Sequence, residues 1–175
     1  MVRRRPTVIL YLGPGRSGKT ASLRALARGA APAAFAVPDV PGAAVETLAL
    51  TGPGDRPLEL VAAPGRLLCS RQRRRLLTAA DGVVFVADAR RARQDANLVH
   101  LDELGRHLLA LGWEPGGFPL VLQIGHLDAP DALPAAALQR QFAPAGAPVL
   151  PARPDTGDGV ASVLAALLDR LPAAD

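Results

Sequence analysis

Several residue types are scarce in this chain of 175 residues, and each shortage excludes something. Cys69 is the only cysteine, so neither an intramolecular disulfide framework nor a cysteine-rich metal centre can form. Aromatic residues make up 3% of the chain, too few to interleave with its arginine runs as stacking platforms for nucleic acid. No uninterrupted apolar run approaches the ~20 residues of a membrane-spanning helix. The stretch after Arg3-Arg4-Arg5-Pro6 is too short for a secretory leader and has no small-residue cleavage site. Position 2 is valine and no cysteine lies near the C-terminus, so no lipid anchor is expected and the expected location is the cytoplasm. Lysine is nearly absent. Of 20 basic residues 19 are arginine, and Lys19 stands alone.

What is abundant is apolar: 49% of residues, mostly alanine, leucine and valine, enough for a sizeable core in one domain over residues 1–175. The net charge is +4, with arginines grouped at 3–5, 71–75 and 90–93, which read as a solvated face rather than a nucleic-acid surface. Apolar runs alternate with helical patterns, which predicts an α/β domain. Thr7–Leu12, Gly82–Asp88 and Leu120–Ile124 read as buried strands. Val45–Leu50 and Leu58–Ala62 read as two strands joined by the turn Gly52-Pro53-Gly54-Asp55, and Pro148–Leu150 as a short strand. Residues 30–43, rich in alanine and proline, read as a loop. Helices are expected from Gly18 to a stop at Gly29, over Ser70–Thr78, along an apolar stripe of Leu98, Leu101, Leu104, Leu108 and Leu111, over Leu133–Phe142 and over Gly159–Leu171.

Gly13-Pro14-Gly15-Arg16-Ser17-Gly18-Lys19-Thr20 fits G-x-x-x-x-G-K-[ST], with a strand before it and a helix after it. Glycines let the backbone turn tightly, so that successive N–H groups face phosphate oxygens. The helix N-terminus adds partial positive charge. Lys19 is expected to reach the β- and γ-phosphates and the Thr20 hydroxyl to hold Mg²⁺. This motif binds phosphate and is silent about the base.

From Ala62-Ala63-Pro64-Gly65-Arg66 onward, Gly82-Val83-Val84-Phe85-Val86-Ala87-Asp88 and Arg93-Gln94-Asp95-Ala96-Asn97 follow at a spacing that resembles the MglA-type small GTPases of bacterial gliding motility and cell polarity. The resemblance covers roughly residues 7–171 and places Arg73 on that family's helix arginine. It implies a Ras-like P-loop fold with a six-stranded, mostly parallel sheet, five helices and an antiparallel edge strand. It also implies GTP or GDP with Mg²⁺ as the ligand, and a roadblock-type, MglB-like regulator and an effector as partners. Gly13, Gly15, Arg16, Ser17, Gly18, Lys19, Thr20, Ala21 and Gly65 are then expected at the nucleotide.

The departures fall on catalysis and base choice. Where the family has N-K-x-D, this chain has Gly125-His126-Leu127-Asp128. The Asp128 carboxylate suits the paired donors of guanine and His126 is placed to stack on the base, although an aspartate before Pro130 also suits a turn or helix cap. Thr47 resembles the switch threonine that meets Mg²⁺ and the γ-phosphate, and equally suits a strand as a β-branched residue. Glu46 stands where the family has a charge-stabilising arginine. Arg66 replaces the glutamine that orients water, and a guanidinium offers no acceptor for that task, only charge for the γ-phosphate. The sequence therefore carries two readings: a GTP-binding switch with slow hydrolysis, and a pseudo-GTPase interaction module with weak or base-unspecific nucleotide binding.

Overall fold

The computed structural model describes residues 5–27, 32–36, 40–142 and 146–172. Continuous apolar runs have no polar side to turn outward, so they take the centre of the sheet. β1 (Thr7–Leu12) is followed by α1 (Lys19–Leu26), and then by β2 (Ala33–Ala36), β3 (Ala44–Thr51) and β4 (Pro57–Ala62). Next come α2 (Ser70–Ala79), β5 (Gly82–Asp88), α3 (Gln94–Ala110), β6 (Leu120–Gly125), α4 (Ala135–Phe142), β7 (Val149–Pro151) and α5 (Val160–Leu168). The sheet order is β2-β3-β4-β1-β5-β6-β7, parallel from β4 to β7 and antiparallel at β2–β3 and β3–β4.

This is a Ras-like α/β arrangement, with one strand more than expected. β2 lies in the stretch read as loop, where Ala33 and Ala34 pair with Thr47 and Glu46. Short alanine-rich segments carry little strand signal of their own, and a neighbouring edge supplies the pairing. The expected helix stop at Gly29 lies outside the described residues.

Strand alternation divides the core in two. Ile9, Tyr11, Leu48, Leu60 and Val84 pack under α1 and α5 with Leu23, Val163 and Leu167. Leu10, Val61, Phe85 and Leu122 pack on the other face with Leu77, Leu104, Leu138 and Phe142 of α2, α3 and α4. Leu101, Leu104, Leu108 and Leu111 of the expected α3 stripe pack inward, and the first turn departs from it. Leu98 is exposed, while Asn97 and His100 are buried beside Leu104. The first turns of α3 lie over polar strand ends, so polar side chains face inward there. Among the described residues, no helix is long and apolar enough to cross a membrane.

Candidate nucleotide-binding site

The loops after β1, β4, β5 and β6 converge at the carboxyl end of the parallel strands, the usual place for a ligand in such sheets. The phosphate loop seats directly on this end. Gly13 has φ +140°, and a Cβ there would lie 2.2 Å from the Val86 carbonyl oxygen, so only glycine fits. Ser22 Oγ donates to the Gly18 carbonyl at 2.9 Å, and Gln123 Nε2 donates to Ser22 Oγ at 2.9 Å, which ties β6 to the start of α1. Ser17 Oγ is buried among the loop residues without a protein partner.

Lys19 is buried and folds back over its own loop. Its Nζ donates to the carbonyls of Gly13 at 2.9 Å and Pro14 at 2.6 Å. Burial, followed by the positive charges of Arg73 and Arg93, lowers its pKa to about 7. Thr20, at the first turn of α1, donates its hydroxyl to the Glu46 carboxylate. The structure does not bring Thr47 to this point. Adjacent side chains of a strand face opposite sides, so with Glu46 on the α1 side Thr47 points away, between Ala33 and Val61.

A second chain segment closes on the loop. A Cβ on Gly65 would lie 2.4 Å from the Gly15 amide nitrogen, so the two backbones are in direct contact. Arg73 of α2 holds this segment in place. Its Nη1 donates to the Pro64 carbonyl at 2.9 Å and the Arg66 carbonyl at 2.5 Å, and Nη2 to the Leu67 carbonyl at 3.4 Å. Nε and Nη2 grip the Glu103 carboxylate of α3 at 2.6 and 2.8 Å. Burial works to raise the Glu103 pKa, but the Arg73 hydrogen bonds and charge outweigh it and leave the carboxyl below its usual value. His100 accepts a place beside the Gly65 backbone, and burial with the Arg73 charge lowers its pKa to about 4, which keeps it neutral. The Arg66 guanidinium donates to the Pro41 carbonyl, so its side chain lies over residues 41–42 rather than over the phosphate loop.

Beneath the loop lies a hub that sequence reasoning did not assign a role. Asp88, at the end of β5, is buried and receives Arg90 Nη2 at 2.6 Å, with Arg93 Nε at 3.6 Å. Burial raises its pKa, yet hydrogen bonds from the Arg90 side chain and backbone prevail and the net shift is downward. Arg93 Nη2 also donates to the Gly15 carbonyl at 2.6 Å. Asn97 accepts from the Asp88 amide at 3.0 Å and donates to its carbonyl at 2.8 Å. The R-x-x-A-N spacing signals this arrangement, since it puts Arg93, at the N-cap of α3, one turn from Asn97.

The base side is a cleft of about 290 Å³ lined by Ser17, Gly18, Ala21, Gly125, His126, Asp128, Arg153, Pro154 and Asp155. His126 adopts a left-handed φ of 59°, and its Nε2 donates to the Arg16 carbonyl at 3.1 Å. Asp128 is exposed and pairs with Arg153 at 3.3 Å, which also meets Asp155 at 3.5 Å. The site thus gathers all the expected phosphate-loop residues with Gly65, His126 and Asp128, and leaves Thr47 and the Arg66 side chain outside. Oxygen donors from Thr20 and Glu46, the unpartnered Ser17 hydroxyl and the adjoining cleft fit a magnesium-bound nucleotide.

The chain is 28% identical over 178 residues to the mutual gliding-motility protein MglA of Myxococcus xanthus (strain DK1622), across 91% of this chain and 87% of that protein. No family model matches the chain.

Proposed function

We propose that this chain, a diverged relative of the MglA-type small Ras-like GTPases, is a GTP-binding molecular switch that hydrolyses its nucleotide slowly. The observation that carries the reading is the shared mouth of two complementary subsites: the loop bearing Lys19 and Thr20, and the cleft bearing His126 and Asp128. Lys19 and the amides entering α1 hold the β- and γ-phosphates, with Lys19 exchanging the Gly13 and Pro14 carbonyls for phosphate oxygens. Asp128 accepts from the guanine edge once Arg153 gives way, and His126 covers the base plane. Mg²⁺ at Thr20 neutralises phosphate charge.

Hydrolysis is slow for a geometric reason. The Arg66 side chain is engaged with Pro41, so no residue after Gly65 orients water, and Glu46 brings negative charge where a cation would assist. An arginine finger is worth ~10³–10⁵ in rate where it acts. A roadblock-type regulator and an effector are the expected partners. The test is to identify the nucleotide retained by the purified protein, then titrate GTP, GDP and ATP against the emptied form. Guanine nucleotides bound more tightly than ATP support the reading, and no binding of any of them overturns it.

One observation favours an interaction module that keeps the fold without a nucleotide cycle. Leu67 and Leu68, beside the closed Gly65 segment, are 63% and 83% exposed. If Leu67→Ser with Leu68→Ser removes partner binding equally with GTP, GDP or no nucleotide present, the module reading stands in place of the switch.

A further inference from the structure

In phosphate-loop NTPases Mg²⁺ is held by the loop's Ser or Thr together with an acidic side chain at the end of a neighbouring strand. Here the strand that leads to Gly65 is β4, and it ends in Val61-Ala62, followed by Ala63, with no acid. The adjacent strand supplies one. Glu46 of β3 sits directly opposite Ala62 in the antiparallel ladder. Residues opposite one another in such a pair share a face, with Cβ atoms ~5 Å apart, so the Glu46 carboxylate projects over the place where an acid at position 62 would stand.

Its contacts fit that role. One carboxylate oxygen receives the Thr20 hydroxyl, and the other faces Arg24 Nη2 at 3.7 Å. Arg24 is exposed, so a cation can displace it at little cost. Mg²⁺ commonly takes one or two carboxylates, the nucleotide phosphates and several waters, and does not need a cage of protein ligands. We propose that Glu46 is a Mg²⁺ ligand alongside Thr20, carried on β3 in place of an acid at position 62. The proposal rests on the nucleotide-binding reading above. It also assigns Glu46 a task that an arginine at this position would abolish.

The test uses Mn²⁺ as a paramagnetic stand-in, titrated by electron paramagnetic resonance into the GDP-bound full chain, with GDP affinity measured separately in excess Mg²⁺ and in EDTA. Glu46→Gln is expected to weaken Mn²⁺ binding by roughly 10–100-fold, the loss that disturbance of a metal's surroundings commonly causes. In EDTA the same variant should hold GDP as tightly as the wild type or more so, because a negative charge beside the phosphates is gone. Glu46→Gln combined with Ala62→Asp should recover Mn²⁺ affinity, since it returns a carboxylate to the same face one strand away, and this recovery also excludes misfolding as the cause. Unchanged Mn²⁺ affinity in Glu46→Gln overturns the proposal. So does an equal loss of GDP affinity with and without metal, which makes Glu46 a support for the loop. Wild type that binds no GDP in either buffer overturns the nucleotide-binding reading itself.

Discussion

Around the phosphate loop three charged side chains, Lys19, Arg73 and Asp88, are buried and bound to the protein itself, whereas around the base cleft Asp128, Arg153 and Asp155 face water. Lys19, Arg73 and Asp88 each have close protein partners. Asp128, Arg153 and Asp155 meet at 3.3 and 3.5 Å in solvent. A buried charge left unpaired is costly, so Lys19, Arg73 and Asp88 are paired before any ligand arrives, while the Ser17 hydroxyl has no protein partner. Binding there is an exchange of partners. In the base half water serves as the default partner of the charged groups, so those residues can differ at small cost.

The comparison breaks first if Arg73 is removed. Arg73→Ala leaves the Glu103 carboxylate without its arginine and takes a donor from each of the Pro64, Arg66 and Leu67 carbonyls, and should destabilise the fold by about 3–5 kcal/mol in urea denaturation. An effect below ~1 kcal/mol would mean that the buried half is not internally braced. Lys19→Ala is the next largest. It should weaken triphosphate binding by at least ~100-fold, since charge-assisted hydrogen bonds of ~1.5–3 kcal/mol each disappear, while the protein stays folded. Calorimetric titration of GTP into the variant decides this.

Asp128→Asn probes the exposed half. It should cost GTP about 10–100-fold, spare ATP and improve xanthine nucleotides, while thermal stability stays within ~0.5 kcal/mol. Equal losses for both purines would assign Asp128 to its loop. The smallest effect is that of pH. With its pKa near 7, Lys19 in the unliganded protein is mostly neutral above that value, and phosphate binding requires the ammonium. Binding at pH 8 should therefore take up a proton, and affinity should fall by up to tenfold per unit as pH rises above 7. The same shift works in reverse on folding. Unfolded Lys19 keeps its proton up to its ordinary value of 10.5, so stability of the unliganded protein should rise with pH between 7 and 10.5. Titration in buffers of different ionisation enthalpy counts the protons.

Elements with a single dominant cause were legible in the sequence. β1, β5 and β6 are continuous apolar runs, and the phosphate loop is fixed by spacing alone. β2 was not, because its alanines acquire strand character only from the β3 edge. Nor was the placement of Glu46, rather than Thr47, beside Thr20. The two are neighbours in sequence, and only the register against β4 decides which faces Thr20. Arg73 is legible as a family position, but the carbonyls and carboxylate it binds come from separate segments that sequence periodicity does not connect. Leu98 misled for a related reason: the stripe rule assumes an apolar neighbour, and this end of α3 meets backbone polar groups.

The grip of Arg73 on Pro64, Arg66 and Leu67 sets how the Gly65 segment can move. A guanidinium is planar and its donors are fixed relative to one another. It cannot release one of these carbonyls and follow the others, so rotation away from one misaligns all of them. The segment is then either docked or detached, with little population between. Heat or mild denaturant should therefore release this segment in a single cooperative step rather than loosen it by degrees, in the manner of a latch.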